Sequence, residues 1–242
     1  FTGFAIDGVG HRATYLFLAA LPAVTVMALL LFPAMLPSPK HRERRAAPRS
    51  VTDLLGNVRL RQVLIATAFL EAGMELFTFL MPIYGRSIGL TASQIGIVMG
   101  TFGLALMAVR IVMPALVRRS SEERVFSFSM FMAAIACIGM PFMMSLGPLL
   151  AMSFILGLGV GCGAPLSMVL CYNRSPEGRK GEAIGLRQTV NKSMEAAMPV
   201  VFGFLSTILG FMPVYWIGAL VLGCGGWLMA IDAHRKSVNR ES

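Results

Sequence analysis

Two glutamates, Glu71 and Glu75, stand one helical turn apart in the stretch FLEAGMELF, inside an otherwise apolar run from Val63 to Tyr84. A second run, far down the chain, carries Arg187, Gln188, Asn191, Lys192 and Glu195. These are the residues whose types and spacing could do chemistry. Two carboxylates at i and i+4 repel, and surroundings of low dielectric disfavour their charged forms, so the pair titrates as a coupled unit suited to gaining and losing a proton. Lys192 opposes that tendency if it lies near either glutamate. Two readings stay open: a pair that handles protons or binds a cation, and a structural ion pair with Lys192 that fixes helix packing. An ion pair that forms and breaks during a working cycle would satisfy both.

Thr67, Glu71, Glu75, Thr78 and Pro82 recur at i, i+4, i+8, i+11 and i+15, which is one stripe on one helix face. Arg187, Gln188, Asn191, Lys192, Glu195 and Pro199 form a matching stripe. At a rise of 1.5 Å per residue, Glu71 lies about 15 Å into its run and Lys192 and Glu195 about 15–18 Å into theirs. All share roughly one depth. Each would cost about 2.5–3.5 kcal/mol or more facing lipid, so they are expected to face an interior or a water-filled cavity. Thr67, Thr78, Gln188, Asn191, Lys192 and Glu195 are the polar lining expected around Glu71 and Glu75.

Long apolar runs position these stripes. Of 242 residues, 56% are hydrophobic and 14% charged, against about 25% charged in a soluble domain. Seven runs, at 13–36, 62–84, 94–117, 125–145, 148–172, 183–208 and 212–232, approach or exceed the roughly 20 residues a helix needs to cross hydrocarbon. The expected fold class is an all-α membrane protein with seven transmembrane helices. The loops at 37–60, 118–124, 173–182 and 233–242 hold fifteen Lys and Arg residues, whereas the loops on the other side hold only Arg12 and Arg86. That asymmetry predicts a cytoplasmic location for the first set, with the N-terminus outside and the C-terminus inside. It also assigns the net charge of +9 to loops facing cytoplasm and anionic lipid, and no nucleic-acid partner is expected. Tyr15, Tyr84, Tyr172, Tyr215 and Trp216 fall where an aromatic belt would sit.

Residues 1–36 read as an outer loop and the last helix of a truncated N-terminal bundle. Residues 37–60, with Pro37, Pro39 and Pro48, read as a basic linker, 61–232 as a six-helix bundle, and 233–242 as a tail. The chain opens at Phe1 with no basic n-region or cleavage site ahead of the first run, so no signal peptide is expected and an upstream portion is.

Cys137, Cys162, Cys171 and Cys224 each sit in an apolar run without metal-ligand spacing, and read as buried, inert thiols. His11, His41 and His234 fall outside the apolar runs. No catalytic, metal or cofactor site is expected, and the chain does not read as an enzyme. In GLGVGCGAP, residues 157–165, the glycines lack the preceding strand that a nucleotide loop requires. Gly157, Gly161 and Pro165 instead suit close helix contact and bending, and Gly96 with Gly100 forms a small-xxx-small pair of the packing type. The eighteen methionines suit adaptable packing or a cavity that accepts varied apolar ligands. Arg110, about five residues inside its helix end, either snorkels or joins a gate with Arg119.

Four segments together resemble the C-terminal part of a major facilitator superfamily transporter, over essentially the whole chain. GFAIDGVGHR, with Gly3, Asp7, Gly10 and Arg12, resembles the end of the family's fifth helix and the loop after it. GLTASQIG, residues 89–96, resembles the outer loop before the eighth. The glycine run ending at Pro165 resembles the tenth, and KGEAIG, with Lys180, Gly181, Ala183 and Gly185, the entry to the eleventh. One loop departs from the pattern. PALVRRSSEER has Pro114 and Arg118 where Gly and Asp would stand, and keeps only Arg119. The resemblance implies that the last six helices form a half bundle of two inverted three-helix repeats, with the site between halves near the midplane. It implies a secondary transporter for a small molecule, with the lipid bilayer and a missing N-terminal half bundle as partners. Proton-coupled efflux of amphipathic or cationic compounds and proton-coupled uptake of a metabolite both fit. A seven-helix receptor or light-driven pump fits poorly, because the intramembrane lysine lies on the sixth crossing and not the last.

Overall fold

The computed structural model describes residues 52–241, with side chains as far as His234, and five helical positions nearer the N-terminus: Ala20, Val24, Val26, Met27 and Leu31. The chain divides into two compact units, 1–49 and 50–242. The rest of the predicted first crossing, and the linker up to Val51, lie outside the described residues.

The second unit opens with a short helix, α1 (Thr52–Gly56), followed by α2 (Val58–Ser87), α3 (Ala92–Arg119) and α4 (Glu122–Gly139), which ends in a 3-10 turn at Met140–Phe142. Helices α5 (Leu146–Gly161) and α6 (Gly163–Arg174) make one crossing interrupted at Cys162, and α7 (Lys180–Leu209) and α8 (Phe211–Glu241) complete the unit. Six of these segments are long and apolar enough to span a membrane. The apolar runs marked only the hydrocarbon-embedded part of each helix. Most of the helices continue past it, whereas α4 and its 3-10 turn stop short of the run's end at residue 145. Helix α2 starts at Val58, inside the segment read as linker, and α8 runs through most of the segment read as tail.

Polar residues in the short connections start the helices. Asn57 Oδ1 accepts from the backbone N–H groups of Arg59 and Leu60 at 3.1 and 3.4 Å. Thr91 and Gln94 form a reciprocal capping box, and the Ser121 hydroxyl caps α4. Gly210, at φ +80°, makes the reversal between α7 and α8, a backbone conformation that favours glycine.

Helix neighbours repeat with a shift of three crossings. Helix α3 packs on α5 as α7 packs on α2, and α4 packs on α5 as α8 packs on α2, while the α4–α8 and α2–α6 contacts each map onto themselves. Crossings three apart run in opposite directions, so this pattern describes two inverted three-helix repeats. The α5 contacts use glycine for close approach. A Cβ on Gly157 would meet the Phe102 carbonyl oxygen at 2.6 Å, one on Gly161 would meet Val109 Cγ1 at 2.5 Å, and one on Gly159 would meet the Ser129 carbonyl oxygen at 2.7 Å.

Three local readings of the sequence need correction. Tyr84 and Tyr215 are buried, with ring centroids 5.9 Å apart in an edge-on pair. The Tyr84 hydroxyl donates to the carbonyls of Pro141 and Met143 at 3.1 and 3.3 Å. They fill the gap where α2, α8 and the 3-10 turn meet, whereas Tyr172 and Trp216 are exposed. Gly96 and Gly100 have nothing within 4 Å of a built Cβ, so among the described residues they pack against nothing. Cys137, Cys162 and Cys171 are buried, but Cys224 is exposed, because it lies on the outer face of α8.

Gly157→Ala and Gly159→Ala should each destabilise the protein by about 1–3 kcal/mol, since the obstructing atoms are backbone. Gly96→Ala should leave stability unchanged. Thermal unfolding of the purified protein, followed by tryptophan fluorescence, checks all three.

Candidate functional site

Glu71 and Glu75 straddle the middle of α2, and Lys192 and Glu195 straddle the middle of α7. The two helices pack side by side. Both glutamates are half-buried, and Glu71 lies within electrostatic range of Glu75, Arg187, Lys192 and Glu195. Thr67 and Thr78 extend the α2 stripe, but their hydroxyls are used locally. Thr67 donates to the Val63 carbonyl at 2.7 Å, and Thr78 to Met74 and Glu75 at 3.1 and 3.3 Å. On α7, Gln188 is exposed and Asn191 is buried, with its Oδ1 lacking a hydrogen-bond partner. Lys192 pairs with Glu195 on its own helix, with side chains 70% and 48% exposed.

Exposure has a particular meaning here. The half bundle alone leaves α7 the least buried of its crossings, and the open face at mid-helix carries Gln188, Thr189, Lys192, Ser193 and Glu195. Charged and amide groups at this depth do not face hydrocarbon unpaired. The face therefore belongs to an aqueous cavity or to a polar partner.

Arg187 stands at the inner edge of this face and is only 5% exposed. Its Nε donates to Ser167 Oγ at 2.9 Å, Nη2 to the Ala164 carbonyl at 3.0 Å and Nη1 to Gln188 Oε1 at 3.1 Å. Two of these acceptors, Ser167 and Ala164, follow the interruption between α5 and α6. Pro165 has no N–H, so the Gly161 carbonyl loses its helical partner, and bonding resumes from Leu166 to Cys162 at 3.2 Å. Gly157, Gly161 and Pro165 thus bring α5 close to α3 and place the first turn of α6 against the guanidinium. A guanidinium cannot shed its proton, so this buried charge needs these oxygens and the nearby Glu71. The sequence placed Arg187 at the head of the α7 stripe but gave no reason to rank it above its neighbours. Two of its three partners are a hydroxyl and a backbone oxygen on another helix.

A second cluster lies at the end of the bundle that carries the basic loops. Arg174, the last residue of α6, is ion-paired with Glu123 of α4 at 3.2 Å and with Asp232 of α8. Its Nη1 donates to the Arg59 carbonyl at 3.1 Å, and Asn57, the cap of α2, donates from Nδ2 to the Arg174 carbonyl at 3.1 Å. One arginine thereby ties four crossings together. Sequence reading counted Arg174 as a loop charge and passed over both acids. The available signal was Asp232, the one acid in the apolar part of the last crossing. Arg110 and Arg119 are exposed and enter no ion pair among the described residues. No group of three or more His, Cys, Asp or Glu with the arrangement of a metal site occurs there either.

Residues 1–199 and, in a second match, 63–241 fit the Major Facilitator Superfamily. The chain belongs to that family. It is also similar to the quinolone resistance protein NorA of Staphylococcus aureus. For strain Mu50 the identity is 24% over 163 residues, covering 66% of this chain and 40% of that protein. For strain MRSA252 it is 24% over 152 residues, covering 61% and 38%. The matched stretch spans only 40% and 38% of the length of these curated relatives. As a member of the Major Facilitator Superfamily it is an integral membrane protein, and the six described crossings form one half bundle of the family's kind.

Removing one partner of a buried ion pair costs about 3–5 kcal/mol, because it strands the other charge. Arg174→Gln should therefore lower the melting temperature of this facilitator sharply. Lys192→Gln, at an exposed pair, should leave it nearly unchanged. Thermal-shift measurement in detergent compares the two.

Proposed function

We propose that this chain supplies one half, and the end of the other, of a secondary active transporter that works by alternating access and couples export of small amphipathic or cationic compounds to proton entry. The observation that carries the reading is the open face of α2 and α7: Glu71 and Glu75 beside Lys192 and Glu195 near the midplane, with Arg187 more than a turn toward the basic end. Those charges are compatible with a membrane when a water-filled cavity or a polar partner borders them. In this family such a cavity lies between two half bundles. Residues 61–232 act in this reading as the C-terminal bundle, 37–60 as the linker and 1–36 as the end of the other bundle.

The chemistry then divides among the residues. Glu71, half-buried between Glu75 and the fixed positive charge of Arg187, exchanges a proton with the cavity. A cationic substrate competes for the same carboxylates, so that binding of one expels the other. Arg187 cannot lose its charge and acts as the fixed reference against which the glutamates work. The Lys192–Glu195 pair is exposed enough to open and close as the cavity changes its access. Thr67, Thr78, Gln188 and Asn191 complete the polar lining. The drug-resistance name of the relatives supports export over uptake, since removal of a toxic compound confers resistance. The excess of basic residues in the loops at the Arg174 end supports a cytoplasmic location for that end, in this reading the cytoplasm of a bacterial cell. Arg110 and Arg119 line the cytoplasmic approach at that end.

Glu71→Gln and Glu75→Gln in the full-length transporter should each abolish transport driven by a pH gradient in proteoliposomes while leaving folding intact. Unchanged gradient-driven transport in both variants would overturn the reading.

A further inference from the structure

A groove of about 280 Å³ runs between α4 and α8 at the basic end, away from the polar face of α7. Phe128 and Phe131 form one wall and Ala230 and Ala233 the other, with Arg124 and His234 at the mouth. The walls are held in register. Ser127 Oγ donates to the Gly226 carbonyl at 2.7 Å, and the Phe131 ring lies where a Cβ on Gly226 would be met at 3.3 Å. From Arg124 to Phe131 the groove reaches about 10 Å along α4.

The surroundings identify the occupant's chemistry. Phe128 is 70% exposed, and the outer surface continues through Ile135 and Ile138 on α4 and Trp227 and Ile231 on α8, all exposed and all apolar. The groove therefore opens onto hydrocarbon. Its mouth is basic: Arg124 is exposed and enters no ion pair among the described residues, and His234 lines the same groove. Positive groups at headgroup level above an aromatic-walled cleft complement one class of molecule, a lipid with an anionic headgroup. A free inorganic anion would satisfy the mouth but leave the exposed rings without a role.

We propose that this groove is a binding site for an anionic phospholipid of the leaflet at the basic end. The headgroup phosphate lies against Arg124 and His234, and the upper acyl chain lies along Phe128, Phe131 and Ala230.

The test uses the full-length transporter in nanodiscs of phosphatidylcholine with added phosphatidylglycerol, and native mass spectrometry counts the lipids retained after release. The wild type should keep phosphatidylglycerol in preference to phosphatidylcholine. Arg124→Gln combined with His234→Gln should reduce that preference roughly tenfold. Ala230→Phe, which fills the groove and keeps both Arg124 and His234, should reduce retention as well. Arg118→Gln combined with Arg119→Gln, on exposed positions of α3, should have no effect. Arg124→Gln alone, an exposed substitution with little reach into folding, serves if the double variant unfolds, and should weaken the preference in the same direction. Equal retention of both lipids by the wild type, undiminished preference in the Arg124 variants, or equal loss in the Arg118/Arg119 control would each overturn the proposal.

Discussion

Hydrocarbon offers no hydrogen bonds and no counter-charges, so every polar group taken into it must bring its own partner. The described half bundle is organised around that requirement. The backbone answers it by being helical along the crossings, with one interruption at Cys162. Two arginines answer it in different ways. Arg187, more than a turn toward the basic end from Lys192, takes two of its acceptors from the interrupted crossing between α5 and α6. Arg174, at the basic end, takes two carboxylates from separate helices. The interruption at Cys162 and the convergence of four crossings on one guanidinium thus meet the same need at different depths.

Close packing is arranged so that one face stays available. Glycines at 157, 159 and 161 let α5 sink against α3 and α4, and the Tyr84–Tyr215 pair seals the opposite end of α2 and α8. Helices α4 and α8, each the third of its repeat, turn apolar residues outward. Helices α3 and α7, each the second of its repeat, are the least buried. The same relation between repeats that brings α7 beside α2 therefore gathers Glu71, Glu75, Arg187, Lys192 and Glu195 on one side. Polar residues there are not placed at random over the bundle. They lie on the side that the six crossings leave open, and the lipid-facing groove between α4 and α8 lies elsewhere.

Much of this was legible in the chain. The six described crossings follow from run length, because hydrocarbon thickness sets a minimum that few soluble helices meet with so few charges. The Glu71 and Glu75 stripe was legible because helical periodicity is a local property. The Lys192–Glu195 pair proved to lie within its own helix, as i and i+3 neighbours can, and that too is local. What escaped was non-local. Nothing in the spacing of Glu123, Arg174 and Asp232 shows that they meet, since each sits on a different helix and only the bundle's register brings them within reach. Tyr84 and Tyr215 have the composition of belt residues, and only the packing turns their rings inward.

The sequence by itself determined the solvent, the number of described crossings and the stripe on which each polar residue lies, because hydrophobicity and helical period act over one or two turns. It also determined the basic asymmetry between the two ends, since that needs only a count of charges. The tertiary structure alone decided which stripes face one another, which charges neutralise which, and that Arg187 is clasped by the turn that Pro165 opens. Those outcomes depend on the rotation and depth of each helix against its neighbours. Contacts summed over the whole bundle set both quantities, and no single segment of the chain encodes them.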